Sequence, residues 1–331
     1  MKSGIFKRFL SGLLIILILF CLLMITPRIL SFINPEKPPV GYHFKVLDFL
    51  AIGVGLEKVI NKSPEIPNEI EEIKNIEYKN INGKSLQLDI YKPKNLDKPA
   101  PLLVFIHGGG WKGGNRSDYL IYLIDFAKRG YITATVSYRL LKDGPYPACI
   151  EDITDAVRWF YNNGEKYGYD PDRIALIGGS AGAHLALLAA YGWKNTHADN
   201  DSTNVPENSH RIKAVVDIYG PVDLATKYSR NHTLVTNFIG HSFEEAPELY
   251  REASPGNYLY KNNPPTMILH GTSDELVPLR QSKFLKAKLD SLGVPCVFYP
   301  VPLWPHAMDV VKRVNDYCQV KMSIFFEQYL K

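Results

Sequence analysis

The pattern of hydrophobic and polar positions from residue 73 onwards predicts two strands, followed by strands that alternate with helices. Two alternating runs between residues 73 and 93 meet at Asn82-Gly83, a dipeptide typical of tight β-hairpin turns. Further short runs rich in Val, Ile, Leu, Phe and Tyr end in Gly, Pro, Ser or Asp, which predicts buried strands. These runs are 101–109, 131–140, 173–180, 213–221, 265–274 and 295–302.

Helical patterns lie between most of these runs, at residues 118–129, 148–163, 181–191, 279–292 and 309–330. Antiparallel strands followed by alternating strand and helix predict an α/β fold with a mixed, mostly parallel sheet and helices on both faces. Two regions interrupt the alternation. Residues 195–210 are polar and loop-like, and residues 224–263 are long enough to form a small cap.

The N-terminal 33 residues differ from the rest of the chain. Lys2, Lys7 and Arg8 precede residues 9–26, which carry no charge and are almost wholly aliphatic. About 17 or more apolar residues can span a bilayer, and a basic start favours a cytoplasmic N-terminus. No small-x-small cleavage site follows, so residues 1–33 are predicted to be a retained signal anchor with the body outside the cytoplasm. Cleavage would instead make the protein secreted.

Residues 34–72 form a connecting region that opens with the Pro-rich, charged sequence NPEKPP. Its mostly apolar segment 44–60 has three interpretations: a helix that covers the functional site, a helix that lies on the membrane surface, or plain packing against the body. The regular strand pattern, and with it the expected main domain, occupies residues 73–331.

Composition is that of an ordinary globular protein, with 46% hydrophobic and 22% charged residues. The net charge of +4 is mild and the basic residues are scattered, which argues against a nucleic-acid partner. Cys149, Cys296 and Cys318 allow one disulfide, although buried free thiols are favoured. Residues 199–204 resemble the start of a calcium loop but lack its Gly and closing Glu, so we expect a solvated loop and neither metal nor cofactor.

Polar groups follow several predicted strands at the point where each strand ends. The sequence HGGGW, residues 107–111, follows one strand, and Gly-Gly-Ser-Ala-Gly follows another, with Ser180 at its centre. Asp274 and His306 follow two more. Ligands bind at the carboxyl ends of strands in open α/β sheets, so these groups are expected at one edge of one sheet.

Ser180 lies on a predicted strand-to-helix turn, where glycines at positions 178 and 182 avoid collision with neighbouring elements and the serine hydroxyl is exposed. The Ala181 N–H then falls in the first turn of a helix, where it has no internal partner. It is therefore free to donate to a developing oxyanion.

Together, G-x-S-x-G, HGGGW and the order Ser…Asp…His resemble the α/β-hydrolase fold, in the bacterial carboxylesterase and lipase group with relatives of hormone-sensitive lipase and of feruloyl and acetyl esterases. The resemblance extends over residues 73–331. It implies a serine hydrolase in which Ser180 is the nucleophile, His306 the general base and acid, and Asp274 the carboxylate that orients His306. The implied oxyanion donors are the backbone N–H groups of Ala181 and of Gly108 or Gly109. The chain departs from many of these relatives at Gly179, where they have an acidic residue, and at Ala183.

Other residues near the strand ends have alternative interpretations. Asp217 and Asp223 are rival carboxylates, but segment 271–278 matches the family and therefore favours Asp274. Trp111, Tyr219 and Trp304 are candidates for lining the substrate pocket, with core packing as the alternative. The remaining histidines near the site are interpreted as structural, and they are His107, His184 and His270.

Three functions remain open. The favoured one is hydrolysis of short- or medium-chain carboxylic esters, of small molecules or linked to glycans, through an acyl-enzyme. Amidase, formamidase or peptidase activity is the alternative, because ester and amide cleavage share one intermediate. A non-catalytic binding module comes last, since the triad and the oxyanion glycines are all present.

Overall fold

The structure of the chain is a computed structural model that describes residues 2–34, 36–192 and 212–331. The polar segment 195–210, and with it the solvated loop predicted at 199–204, lies outside the described residues. The described residues contain one eight-stranded sheet. Its strands are β1 (Ile70–Ile81), β2 (Lys84–Pro93), β3 (Ala100–Ile106), β4 (Ile132–Val136), β5 (Tyr169–Gly179), β6 (Ile212–Ile218), β7 (Thr266–Gly271) and β8 (Cys296–Val301).

The strand order across the sheet is β1-β2-β4-β3-β5-β6-β7-β8. Strand β2 pairs antiparallel with β1 and β4, and every other pair of neighbours is parallel. This arrangement confirms the predicted mixed, mostly parallel sheet. The β1–β2 hairpin turns at Asn82 and Gly83, whose φ values of 51° and 82° are those of a two-residue type I′ turn.

Helices cover both faces of the sheet, as predicted. Strand β3 shows why both faces must be covered: Leu102 and Val104 enter one hydrophobic cluster, whereas Leu103 and Phe105 enter the other. The helices are α1 (Lys2–Ile33), α2 (Lys45–Gly53), α3 (Leu120–Lys128), α4 (Ala148–Asn162), α5 (Gly164–Tyr167), α6 (Ala181–Ala190), α7 (Lys227–Arg230), α8 (Thr233–Ile239), α9 (Pro247–Glu252), α10 (Arg280–Ser291) and α11 (Lys312–Leu330). Helices α4, α6 and α10 pack on one face, and α3 and α11 on the other.

Two helices begin differently from the sequence pattern. The helix predicted at 118–129 starts as a 3-10 turn at Arg116–Tyr119, where the Asn115 side chain caps the backbone N–H of Ser117. The helix predicted at 309–330 likewise starts with a 3-10 turn, Met308–Val310, before α11.

Helices α7, α8 and α9 form the insertion between β6 and β7 at which the sequence predicted a small cap. The cysteines raised as a disulfide alternative are free thiols in the described part of the chain. Cys149 and Cys318 are buried and Cys296 is half-buried, so the favoured interpretation is the one observed.

Candidate active site

Ser180 occupies a strained turn between β5 and α6. Its backbone lies at φ 55° and ψ −121°, a conformation that costs energy for any residue with a side chain. A Cβ at Gly182 would collide with the carbonyl oxygen of Ile106 on β3, so glycine is required there. The turn therefore holds the serine at the carboxyl edge of the sheet, as expected for a nucleophile elbow.

The structure brings together the three side chains that the sequence assigned to a triad. Ser180 Oγ lies 2.9 Å from Nε2 of His306. Nδ1 of the same imidazole lies 2.6 Å from Oδ2 of Asp274. Asp274 follows β7 and His306 follows β8, so residues far apart in sequence meet because neighbouring parallel strands end at one edge.

The Asp274 carboxylate is buried yet fully hydrogen-bonded. Oδ1 accepts the backbone N–H groups of Leu276 at 2.9 Å and Val277 at 2.8 Å. Burial raises the pKa of Asp274, but hydrogen bonds from His270 and His306 outweigh burial and hold this pKa well below its usual range. The group is therefore a persistent acceptor for His306 Nδ1–H, which leaves Nε2 free to accept the serine proton.

His270 is a residue whose place in the site the sequence prediction missed. The fully buried His270 ring places Nε2 3.1 Å from Asp274 Oδ2 and 2.9 Å from the Val277 carbonyl. Because Nε2 faces two acceptors it carries the proton, and Nδ1 accepts from Ser282 Oγ at 2.7 Å. The signal in the sequence was its position, four residues before Asp274.

The predicted oxyanion donors lie next to the nucleophile. Gly108, Gly109 and Ala181 line the same cavity as Ser180. A Cβ at Gly108 would come within 2.7 Å of the Gly179 carbonyl, so the loop after β3 packs directly on the elbow. Helix α6 begins at Ala181, and its first N–H groups have no partner within the helix.

The oxyanion loop is held in place by aromatic packing. The His107 ring stacks on Tyr138 with 4.3 Å between ring centroids, and the Tyr138 hydroxyl donates to the His107 carbonyl at 2.8 Å. Burial lowers the pKa of His107 and keeps the ring neutral. This placement agrees with its structural interpretation.

Neither rival carboxylate shares a hydrogen bond with His306 among the described residues. Asp217 is buried in β6 and accepts the Gly220 N–H at 2.6 Å, and burial raises its pKa to about 7. Asp223 accepts the Ala225 N–H at 2.9 Å. His184, which is buried in α6, contacts the Ala253 carbonyl at 2.7 Å, and burial lowers its pKa to about 4.

A cavity of about 450 Å³ opens at Ser180. Trp111 and Tyr219 line it, as the sequence proposed, together with residues of the α7–α8 insertion: Tyr228, Ser229, His232, Leu234 and Val235. Trp304 is not among its described lining residues, which corrects the expectation of a pocket position for that side chain. Its indole N–H donates to the Pro39 carbonyl at 3.0 Å, and the side chain is only 1% exposed.

A buried cluster of tyrosines and one carboxylate lies beside the triad and was not predicted. The Tyr219 ring lies 4.7 Å from the His306 ring between centroids, and its hydroxyl donates to Asp309 Oδ1. Tyr122 donates to the other oxygen of Asp309 at 3.2 Å, and burial raises the pKa of this carboxyl. Tyr119 packs so close to Gly179 that a Cβ there would collide with the Tyr119 hydroxyl.

Metal chemistry has no candidate centre within residues 2–34, 36–192 and 212–331. No group of three or more His, Cys, Asp or Glu side chains is placed there to hold an ion.

The sheet order, the strained serine elbow and the Ser180–His306–Asp274 chain define an α/β-hydrolase fold. Within this class, the chain belongs to the BD-FAE family, whose model matches residues 88–289.

Curated relatives are enzymes named for ester hydrolysis. Esterase LipQ of Mycobacterium tuberculosis is 32% identical over 246 residues, which cover 71% of this chain and 57% of LipQ. The probable carboxylic ester hydrolase LipM of the same organism is also 32% identical, over 75% of this chain and 58% of LipM. The chain thus spans less than two thirds of the length of these relatives.

Solved structures share the same architecture. A truncated carbohydrate esterase from gut microbiota superposes with a TM-score of 0.66 at 27% identity, covering 78% of this chain and 95% of that one. Esterase 2 of Thermogutta terrifontis superposes with a TM-score of 0.62 over 81% of this chain and 95% of its own. Its 22% identity supports the fold alone.

Proposed function

We propose that the protein is a serine hydrolase that cleaves carboxylic esters through an acyl-enzyme on Ser180. The observation that carries this proposal is the unbroken hydrogen-bond chain from Ser180 Oγ through His306 to Asp274, at the wall of a cavity. The esterase names of its relatives support the same chemistry.

The reaction proceeds in two halves on this geometry. His306 Nε2 accepts the Ser180 proton as Oγ attacks the ester carbonyl, and the N–H groups of Ala181 and of Gly108 or Gly109 stabilise the oxyanion. His306 then protonates the leaving alcohol. Water, deprotonated by the same imidazole, attacks the acyl-enzyme and releases the acid together with free Ser180.

The substrates we propose carry short or medium acyl chains. The cavity of about 450 Å³ lies in the range of small-molecule sites. Its walls are largely apolar, with Trp111, Leu234, Val235 and Leu276 among the lining residues, and apolar walls suit an acyl chain better than a charged group.

We further propose that α1 anchors the enzyme with the hydrolase domain outside the cytoplasm. Among the described helices, α1 has the length and apolar composition to cross a bilayer, over Arg8–Ile33. Its basic start supports this orientation.

The proposed function is tested with the full-length protein in detergent. Its rates are measured on p-nitrophenyl esters of increasing acyl length and on the matching p-nitroanilides. We expect ester turnover with an optimum at short or medium chains, and its loss in Ser180→Ala. Turnover of the anilides with little turnover of the esters would show that the protein is an amidase and not an esterase.

A pair of carboxylate variants tests the assignment of the acid. Asp274→Asn is expected to lower kcat by about 10⁴-fold, as loss of the orienting carboxylate does in other triads. Asp223→Asn serves as the matched control and is expected to change kcat little. A large loss of kcat in Asp223→Asn with little change in Asp274→Asn would identify Asp223 as the carboxylate that orients His306.

A further inference from the structure

Helix α2 exposes a continuous apolar face. We call this face the apolar stripe and define it as Val46, Phe49, Leu50 and Val54, which are spaced so that they lie on one side of the helix and its C-cap. Phe49 is 69% exposed. The opposite side is buried through Leu47, Ala51 and the carboxylate-bearing Asp48. A surface helix normally turns polar residues outward, so this face lacks the cover that its composition requires.

The buried side of α2 packs on the end of α1. Met24 of α1, Tyr42, Leu47 and Ala51 form a separate hydrophobic cluster, and the Tyr42 hydroxyl donates to the Met24 carbonyl at 3.2 Å. None of the described residues that line the Ser180 cavity belongs to α2. Of segment 44–60, it is therefore Ile60, beyond the end of α2, that reaches the cavity.

A buried ion pair fixes the end of α1 to the hydrolase domain. The Glu57 carboxylate is 2% exposed, and its two oxygens share the single Nε–H of Arg313 at 2.8 and 2.9 Å. Arg313 also donates to Ser31 of α1 at 2.9 Å, and Arg28 of α1 donates to the Leu56 carbonyl at 2.6 Å. The last turns of α1 are thus held by the folded body.

The length of α1 sets the depth of α2. The 26 residues of Arg8–Ile33 extend for about 39 Å, which exceeds the ~30 Å hydrocarbon core of a bilayer. The last turns of an inserted α1 therefore reach the head groups. Met24 lies about 24 Å and Arg28 about 30 Å along α1 from Arg8, so α2, which packs on Met24, lies at the outer boundary between the hydrocarbon core and the head groups. Phe32, at the end of α1, is a further apolar side chain, 87% exposed.

Both ends of α2 are connected to the rim of the cavity. At its start, Lys45 forms a 3.3 Å ion pair with Glu275, whose carbonyl accepts from the rim residue Tyr228. Beyond its end, Ile60 lines the cavity, and its N–H donates to the Val310 carbonyl at 2.9 Å. Polar contacts on either side of α2 therefore link this helix to the cavity rim.

We propose that the apolar stripe of α2 lies in the outer head-group layer of the bilayer, so that the Ser180 cavity opens beside the membrane and takes esters that partition into it. Interfacial helices bury an apolar face and place cations nearby, as exposed Lys58 and Lys62 do after α2. The substrate class rests on the proposed esterase function and the depth on the proposed anchor. The contact between the apolar stripe and lipid does not depend on the esterase activity and can be tested without it.

Depth-dependent quenching tests the lipid contact. The chain with Cys21→Ser and Cys296→Ser receives one exposed cysteine at Phe49→Cys, with the buried Cys149 and Cys318 retained. It is labelled with the NBD fluorophore and is reconstituted in 7:3 phosphatidylcholine–phosphatidylglycerol vesicles. Ile324→Cys is the matched control, because Ile324 is an exposed apolar residue on α11, about 18 Å along that helix from its start near His306.

Lipids with a doxyl group near the head group are expected to quench position 49 by at least about half while position 324 keeps its emission. Equal emission at position 49 with and without doxyl lipid would overturn the proposal. In the unlabelled Phe49→Cys chain treated with a copper–phenanthroline oxidant, efficient disulfide formation between two copies at position 49, together with no quenching of the labelled chain, would overturn the proposal in favour of a second copy as the cover of the stripe.

A pair of substrates tests delivery from the bilayer. Phe49→Glu in the native-cysteine chain is expected to hydrolyse water-soluble p-nitrophenyl acetate at the wild-type rate. It is expected to lose about tenfold in rate on p-nitrophenyl octanoate held in vesicles, because it loses a buried aromatic contact with lipid. Ile324→Glu, the control, keeps both rates. Equal rates of Phe49→Glu and wild type on both esters would overturn membrane delivery, whereas a wild-type chain inactive on both would contradict the esterase function and leave the quenching result standing.

Discussion

His270 Nε2 lies 3.1 Å from Oδ2 of Asp274, the same carboxylate oxygen that His306 Nδ1 approaches to 2.6 Å. One oxygen therefore faces two imidazoles, only one of which reaches the serine. The buried His270 adds charge-assisted hydrogen bonding to a carboxylate that burial alone would drive towards protonation. His270 is thus a positioning residue for the triad.

Replacement of His270 should change the pH dependence of the reaction. Without its N–H, the pKa of Asp274 rises and the carboxylate holds the His306 proton more tightly. We expect His270→Leu to move the acid limb of the kcat/KM profile to higher pH and to lower kcat by about tenfold, or ~1.4 kcal/mol. The acid limb and the kcat of His270→Gln, whose amide can still donate, should lie between those of wild type and of His270→Leu.

His184→Gln is the matched control, since His184 is equally buried but contacts the Ala253 carbonyl instead of the triad. Its acid limb should coincide with that of wild type. A His270→Leu profile that also coincides with wild type would mean that His270 serves packing alone.

The Tyr119 hydroxyl leaves no room for a side chain at Gly179, the residue before Ser180. Any Cβ at position 179 would collide with this hydroxyl. Gly179→Ala should therefore lower the free energy of unfolding by ~1–3 kcal/mol, the usual cost of overpacking. Combining it with Tyr119→Phe should restore much of the loss.

Chemical denaturation of wild type, both single variants and the double variant measures this coupling as a double-mutant cycle. Strictly additive effects would show that the two residues do not compete for the same space.

Tyr219 and Tyr122 both donate to the buried Asp309 carboxylate, but it is Tyr219 that packs on the His306 ring. Tyr219→Phe and Tyr122→Phe should each lower the free energy of unfolding by ~1–3 kcal/mol, because each leaves a buried acceptor with one donor fewer. Both retain the aromatic ring, so kcat should stay within about threefold of wild type.

Paired denaturation and turnover measurements separate these effects. Loss of turnover in Tyr219→Phe with unchanged stability would place that hydroxyl in contact with the reacting atoms, contrary to its assignment here.

Asp217 should make the protein less stable as the pH rises. Burial raises its pKa from 3.8 to about 7, so between these values the unfolded chain releases a proton that the folded chain retains. The stabilisation from protonated Asp217 is complete below the pKa that this group has in the unfolded chain. It is lost as the pH rises through the pKa of Asp217 in the folded chain. We expect the free energy of unfolding of Asp217→Asn relative to wild type to increase between pH 4 and 7. A constant difference across this range, measured by denaturation at several pH values, would refute the assignment.

Local backbone rules explain how much of this site could be predicted from the sequence. Asn82-Gly83 favours its turn wherever it occurs, and G-x-S-x-G suits the Ser180 elbow, since both depend on residues adjacent in the chain. The ends of parallel strands then place Asp274 and His306 correctly, because the alternation of strand and helix determines which edge they share.

Contacts between segments far apart in the sequence could not be predicted from such local rules. Tyr219 and Asp309 meet across 90 residues, and Trp304 binds the Pro39 carbonyl across 265 residues. Hydrophobic periodicity marks these aromatic residues as buried or near the site, but it does not say which partner they face. The same holds for α2, because its sequence does not say which of its sides packs on Met24 of α1.

The most direct test of the central claim is covalent trapping of the nucleophile. Folded full-length protein is incubated with a fluorophosphonate, digested and analysed by peptide mass spectrometry beside Ser180→Ala. We expect one phosphonyl adduct per chain, on Ser180, with loss of p-nitrophenyl ester turnover in proportion to labelling and no adduct in the variant. An unlabelled Ser180 in folded protein that still hydrolyses esters would contradict it.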